Sequence, residues 1–89
     1  MSNIFVEVIN QLSDNYSYLI FNKINASSII IDPAEDKKII SILNKKKLKL
    51  DYIFITHHHN DHTAGVLGLL KEYPEVKIYS PSDLYSIKI

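Results

Sequence analysis

Apolar residues come in short bursts along the first third of the chain, and the bursts are too brief for helices. Residues 4–9, Ile-Phe-Val-Glu-Val-Ile, are rich in branched side chains and read as a strand, closed by polar Asn10-Gln11 and by the turn chemistry of Ser13-Asp14-Asn15. Residues 16–21, Tyr-Ser-Tyr-Leu-Ile-Phe, form a second run, and Ser28–Ile31 a third beyond a polar segment. Three such runs with short links predict an antiparallel meander. Asp32-Pro33 ends it, because proline has no N–H for a ladder while its fixed φ suits the first turn of a helix.

The period then changes. From Ala34 to about Lys47 the apolar positions Ile39, Ile42 and Leu43 fall at helical spacing, with Glu35 and Asp36 in the expected first turn, where the helix dipole favours acids. Tyr52-Ile53-Phe54-Ile55 is continuously apolar, as expected of a strand covered on both faces in a mixed or parallel sheet. Beyond it Val66, Leu69, Leu70 and Tyr73 repeat at helical spacing, predicting a second helix that starts near Thr63 and stops at Pro74, and residues 76–79 read as a last strand. No internal repeat or linker interrupts this order. The pattern is that of one α/β unit.

Composition narrows what such a unit can do. Ten basic and ten acidic residues leave no net field to draw the 89-residue chain to nucleic acid or to an anionic membrane. Lys45-Lys46-Lys47 and Lys49 sit at the negative end of the first predicted helix and read as a solvated, dipole-matched terminus. Cysteine is absent, so any metal takes nitrogen and oxygen ligands, and no thiol can serve as nucleophile. The first twenty residues lack a signal-peptide pattern and no apolar stretch reaches spanning length, so a cytoplasmic protein is expected.

All four histidines fall at positions 57, 58, 59 and 62, with Asp61 among them, directly after the most apolar strand. Side chains alternate in an extended segment, so His57 and His59 can converge on one metal while His58 faces away, into a packing or supporting role. A turn through Asn60 can then present Asp61 and His62 to a second metal position. Imidazole with carboxylate suits zinc, and manganese or iron can use the same donors. The plain alternative is a set of surface-loop histidines, one of them capping the next helix; four beside an acid at a strand end favour metal.

His-x-His-x-Asp-His after an apolar strand resembles the signature of the metallo-β-lactamase superfamily, and Thr56-His57-His58-His59-Asn60-Asp61-His62 resembles its glyoxalase II (hydroxyacylglutathione hydrolase) form. Leu12-Ser13-Asp14-Asn15-Tyr16-Ser17-Tyr18-Leu19 is similar to that family's first hairpin, Ile30-Ile31-Asp32-Pro33 to its third strand and turn, and Tyr79-Ser80-Pro81-Ser82 to the strand and loop after the second helix. The resemblance implies the N-terminal half of an αββα sandwich: β-meander, helix, strand, metal loop, helix, strand. It implies two zinc ions, the first on His57 and His59 and the second on Asp61 and His62, activating water against the thioester of S-lactoylglutathione to release D-lactate and glutathione, in methylglyoxal detoxification. No catalytic side chain beyond these ligands is assigned, and the residues that would hold the glutathione part are not identified.

The chain departs from the family pattern in two ways. Ala64 stands where the first of two glycines is usual, Gly65 keeping the second. A catalytic zinc takes three protein ligands and the motif supplies two to each metal, so residues 1–89 are expected to form a partial domain, truncated at the C-terminus, that associates or aggregates although complete family members are monomers. Two alternatives stand beside this reading. Residues 61–70 also resemble the tRNA-processing nuclease branch, against which count Asn60 and the neutral charge; and the chain can be a non-catalytic remnant that binds metal weakly. Asp14, Asn15 and Tyr16 read as turn and strand residues, and Asp32 either reaches the histidine loop or caps the first helix.

Overall fold

The computed structural model describes residues 3–11, 15–56 and 61–79, with residues 61–64 described by their backbone alone. Strands β1 (Ile4–Gln11) and β2 (Asn15–Asn22) form a hairpin, and β3 (Ser28–Ile31) pairs antiparallel with β2. Helix α1 (Lys37–Lys46) leads to β4 (Tyr52–Phe54), and α2 (Asp61–Glu72) to β5 (Lys77–Tyr79). β4 lies parallel to β3 and β5 parallel to β4, giving one mixed sheet in the order β1-β2-β3-β4-β5. Meander, helix, strand, helix and strand follow the expected order, and the switch from antiparallel to parallel pairing coincides with the first helical crossover.

Side-chain alternation decides which sheet face is buried. Leu19, Ile30 and Ile53 are register partners across three neighbouring strands, and all are fully buried. They form one cluster with Ile39 and Leu43 of α1 and Val66 and Leu69 of α2, so both helices pack on this face. The other face carries Val6, Val8, Tyr18, Ile20, Ile29, Ile31, Tyr52, Phe54 and Tyr79 in register; Val6 is 62% and Phe54 40% exposed. On it the rings of Tyr52, Phe54 and Tyr79 meet with centroids 5.7 to 6.3 Å apart. The apolar run of β4 predicted cover on both faces; among the described residues only the Ile53 side is buried.

Several element limits differ from the sequence expectation, each for a local reason. β1 and β2 are longer: Asn10, Gln11 and Asn15 are ladder residues rather than turn residues, with Gln11 opposite Asn15. Helix α1 starts at Lys37, three residues after Ala34; the Ala34 and Glu35 N–H groups donate to the side chain of Gln11, and the Glu35 carbonyl accepts from its Nε2. Its first turn therefore holds no acid, and Asp36 flanks the helix without a side-chain cap bond. Lys47 closes α1 in the left-handed conformation (φ 57°), with the Leu48 N–H donating to the Leu43 carbonyl at 2.9 Å. The basic run there is only partly free: Lys46 pairs with Glu7 at 3.0 Å and covers the Phe21 ring. Helix α2 begins at Asp61 rather than near Thr63, so Asp61 and His62 belong to its first turn instead of a turn before it. β4 ends at Phe54, although the Ile55 N–H still donates to the Tyr79 carbonyl at 2.8 Å.

Candidate metal site

Strand direction brings the chemistry-bearing residues to one edge. β3 and β4 run parallel, so Asp32 and Thr56 both lie just past their carboxyl ends, the edge where open α/β sheets bind ligands. The hairpin adds Gln11 at the end of β1 and Asn15 at the start of β2 to the same edge. Residues 57–60 connect Thr56 to Asp61, the first residue of α2. The proposed ligands His57 and His59, together with His58, lie outside the described residues. Asp61 and His62 are placed by backbone in the first helical turn, where the dipole favours an acid.

Asp32 resolves the alternative posed by the sequence. Its carboxylate does not cap α1; Oδ1 accepts from the Thr56 N–H at 2.8 Å and Oδ2 from the Thr56 hydroxyl at 2.5 Å, while the Asp32 N–H donates to the Phe54 carbonyl at 2.8 Å. Asp32 takes φ 55° to do so, a left-handed conformation that aspartate tolerates better than most residues. The residue immediately before the histidines is thereby held by two charge-assisted hydrogen bonds.

The turn that follows Asp32 meets α2 through its glycines. A Cβ on Gly65 would lie 2.8 Å from the Pro33 carbonyl oxygen, 2.8 Å from the Ala34 carbonyl carbon and 2.9 Å from the Glu35 nitrogen, all main-chain atoms. At Gly68 a Cβ would run into the side chain of Asp36. Close approach of helix to turn is what these positions require, so the glycine retained at 65 does the packing whichever residue stands at 64. The acids and histidines were legible as candidates in sequence; the fit of Gly65 against a backbone was not, because its partner lies some thirty residues earlier.

The profile of the metallo-beta-lactamase superfamily matches residues 12–88. The chain belongs to that superfamily. It is 45% identical over 73 residues to hydroxyacylglutathione hydrolase 1 of Vibrio vulnificus, covering 82% of this chain and 29% of that protein. It is equally 45% identical over 74 residues to a probable hydroxyacylglutathione hydrolase of Schizosaccharomyces pombe, covering 79% of this chain and 29% of that one. The B3 metallo-beta-lactamase BLEG-1 shares the fold, with TM-score 0.77 at 20% identity over 96% of this chain and 41% of its own. The chain thus spans about 30% of the length of the curated relatives it matches. Superfamily membership implies a metal, and the donor chemistry of His57, His59, Asp61 and His62 fits one: imidazole nitrogens and a carboxylate, with no thiol in the chain. Among the described residues no helix is long and apolar enough to cross a membrane.

Proposed function

We propose that the chain is the metal-loop part of a hydroxyacylglutathione hydrolase, acting on the thioester of a small S-(2-hydroxyacyl)glutathione such as S-lactoylglutathione. The observation that carries the reading is the Asp32 clamp on Thr56 at the carboxyl edge of the sheet, directly before His57-His58-His59-Asn60-Asp61-His62. The relatives named as hydroxyacylglutathione hydrolases, at 45% identity, support this substrate class over the nuclease alternative. His57 and His59 would hold one zinc and Asp61 and His62 a second. When bound, the metals supply Lewis acidity toward the thioester carbonyl and a lowered pKa for water. The protein's part is to hold the four donors at the end of β4 and the start of α2.

Two donors per metal fall short of the three that a catalytic zinc takes, and the chain holds no histidine beyond the four at 57–62. Turnover therefore needs donors from polypeptide outside these 89 residues, and the residues here form one part of a longer domain. The exposed apolar sheet face supports the same view, since a second layer would bury it. Zinc content after dialysis, measured for the wild-type chain and for His57→Ala and Asp61→Ala, tests the ligand assignment. Loss of zinc in each variant is expected; unchanged stoichiometry in both removes the assignment. Enzyme-like turnover of S-lactoylglutathione by the chain alone would remove the requirement for further donors.

A further inference from the structure

We propose that Gln11 is a positioning residue for the histidine loop, acting through the turn at residues 32–36, which holds both ends of that loop. The metal aspect rests on the proposed reading of residues 57–62; the mechanical aspect does not.

Gln11 ends β1 and is 1% exposed, an unusual place for a carboxamide. Its Oε1 accepts from the Ala34 N–H at 2.5 Å and more weakly from the Glu35 N–H at 3.3 Å, and its Nε2 donates to the Glu35 carbonyl at 3.1 Å. Ser17 on the neighbouring strand is fully buried, and its hydroxyl, with one proton to give, lies 2.6 Å from Gln11 Oε1 and 2.7 Å from the Asp32 carbonyl oxygen. Two buried side chains on the hairpin thus fix the main chain of Asp32, Ala34 and Glu35. An apolar pair would fill the space equally well and leave those backbone groups without partners, which is a reason for polar residues here that packing does not supply.

The same turn faces the loop on two sides. Through its carboxylate, Asp32 holds Thr56, one residue before His57. Through Pro33, Ala34 and Glu35 it abuts Gly65, and through the Asp36 side chain Gly68, on the helix whose first residue is Asp61. Residues 57–60 join Thr56 to the first residue of α2, and Gly65 lies one turn further along that helix. Loosening residues 32–36 relaxes the hold on Thr56 and the fit against Gly65 separately, so the two ends of the loop lose their common reference. The influence of Gln11 on the loop passes through the backbone it holds at residues 34 and 35.

The test compares Gln11→Met, which keeps bulk and removes the hydrogen bonds, with Leu43→Ala, a core deletion on α1 away from the turn. Amide hydrogen exchange is followed at Ala34, Glu35 and Thr56 in the metal-free chain, and zinc affinity by competition with a chromophoric chelator. Gln11→Met is expected to speed exchange at Thr56, as well as at Ala34 and Glu35, by about tenfold beyond any change in global opening, and to weaken zinc binding by roughly 10- to 100-fold, the range typical of outer supporting partners. Leu43→Ala is expected to change Thr56 exchange only through global stability. Ser17→Ala, the milder change, should move Thr56 in the same direction as Gln11→Met and decides the matter should that variant not fold. Thr56 exchange tracking global stability alike in all three variants overturns the proposal. A wild-type chain that binds no zinc removes the functional reading, and the Thr56 exchange still decides the role of Gln11.

Discussion

Replacing Gly65 by alanine sets two effects of opposite sign against each other. Alanine is favoured over glycine inside a helix by about 1 kcal/mol, so propensity alone makes Gly65→Ala stabilising. The structure gives the reverse. The new Cβ would meet three main-chain atoms at 2.8 to 2.9 Å, where ordinary contact begins at 3.4 Å, and none of the three can swing aside. Helix α2 and the turn must then separate by roughly half an ångström, enough to forfeit about a quarter of the dispersion attraction between the facing surfaces. Overpacking of this kind costs about 1 to 3 kcal/mol, which leaves a net loss near 1 kcal/mol after the propensity gain. For a chain of 89 residues that is a fall in Tm of about 4 to 8 °C. Gly68→Ala should cost less, because the obstacle is the Asp36 side chain, whose carboxylate can rotate even though its Cβ stays close. Thermal or urea unfolding of both variants beside the wild type gives the answer. A Gly65→Ala chain as stable as the wild type, or more so, would show that the helix and turn are not in the contact described.

Two further perturbations follow from single residues. Asp32→Gly removes the clamp on Thr56 but accepts φ 55° without strain, whereas Asp32→Ala loses the clamp and adds left-handed strain of about 1 to 2 kcal/mol, so urea midpoints should fall in the order wild type, Gly, Ala; Ala at or above Gly would contradict the backbone assignment. The Tyr73 phenol is raised above its ordinary pKa, by burial first and by the Glu72 charge second, so the folded state holds that proton more tightly than the unfolded chain does. Stability is then undiminished below about pH 10 and falls as pH rises from there through the folded pKa, and Tyr73→Phe should flatten that decline in urea midpoints measured between about pH 9 and 11.5.

The elements were legible in the sequence because each rests on a local pattern. Branched runs at 4–9, 16–21 and 28–31 are strands wherever they pack, and the period-3.6 repeats through Ile39 to Leu43 and Val66 to Tyr73 are helices. The candidate donors stood out because four histidines and an acid in six positions have few other uses. What the sequence concealed is long-range. Gln11 looked like the end of a strand and the start of a turn, because nothing nearby in the chain announces that its partners are backbone groups at 34 and 35. The late start of α1 belongs to the same long-range pattern, since residues 34 and 35 bond to Gln11 on the hairpin before the helix begins at Lys37. Asp32 offered two equally good local roles, and only the parallel pairing of β3 with β4, which puts Thr56 beside it, selects one.

The continuous apolar character of β4 bears on the larger question of how much of the domain these residues contain. A strand covered on one face needs apolar residues only at alternate positions, as Ile30 and Ile53 supply toward the helices. Yet Ile29, Ile31, Tyr52 and Phe54, their neighbours, are apolar too, and with Val6, Val8, Tyr18, Ile20 and Tyr79 they make an apolar patch of nine residues on the other sheet face, with Lys77 at its edge. Left in water, such a face contributes nothing to stability and favours association; buried, it contributes about 25 cal/mol for each Å². Relatives more than three times as long as the matched segment have the polypeptide to cover it. On the proposed reading, one layer of chain over this face would both cover the sheet and bring further donors to the proposed metal site at its carboxyl edge.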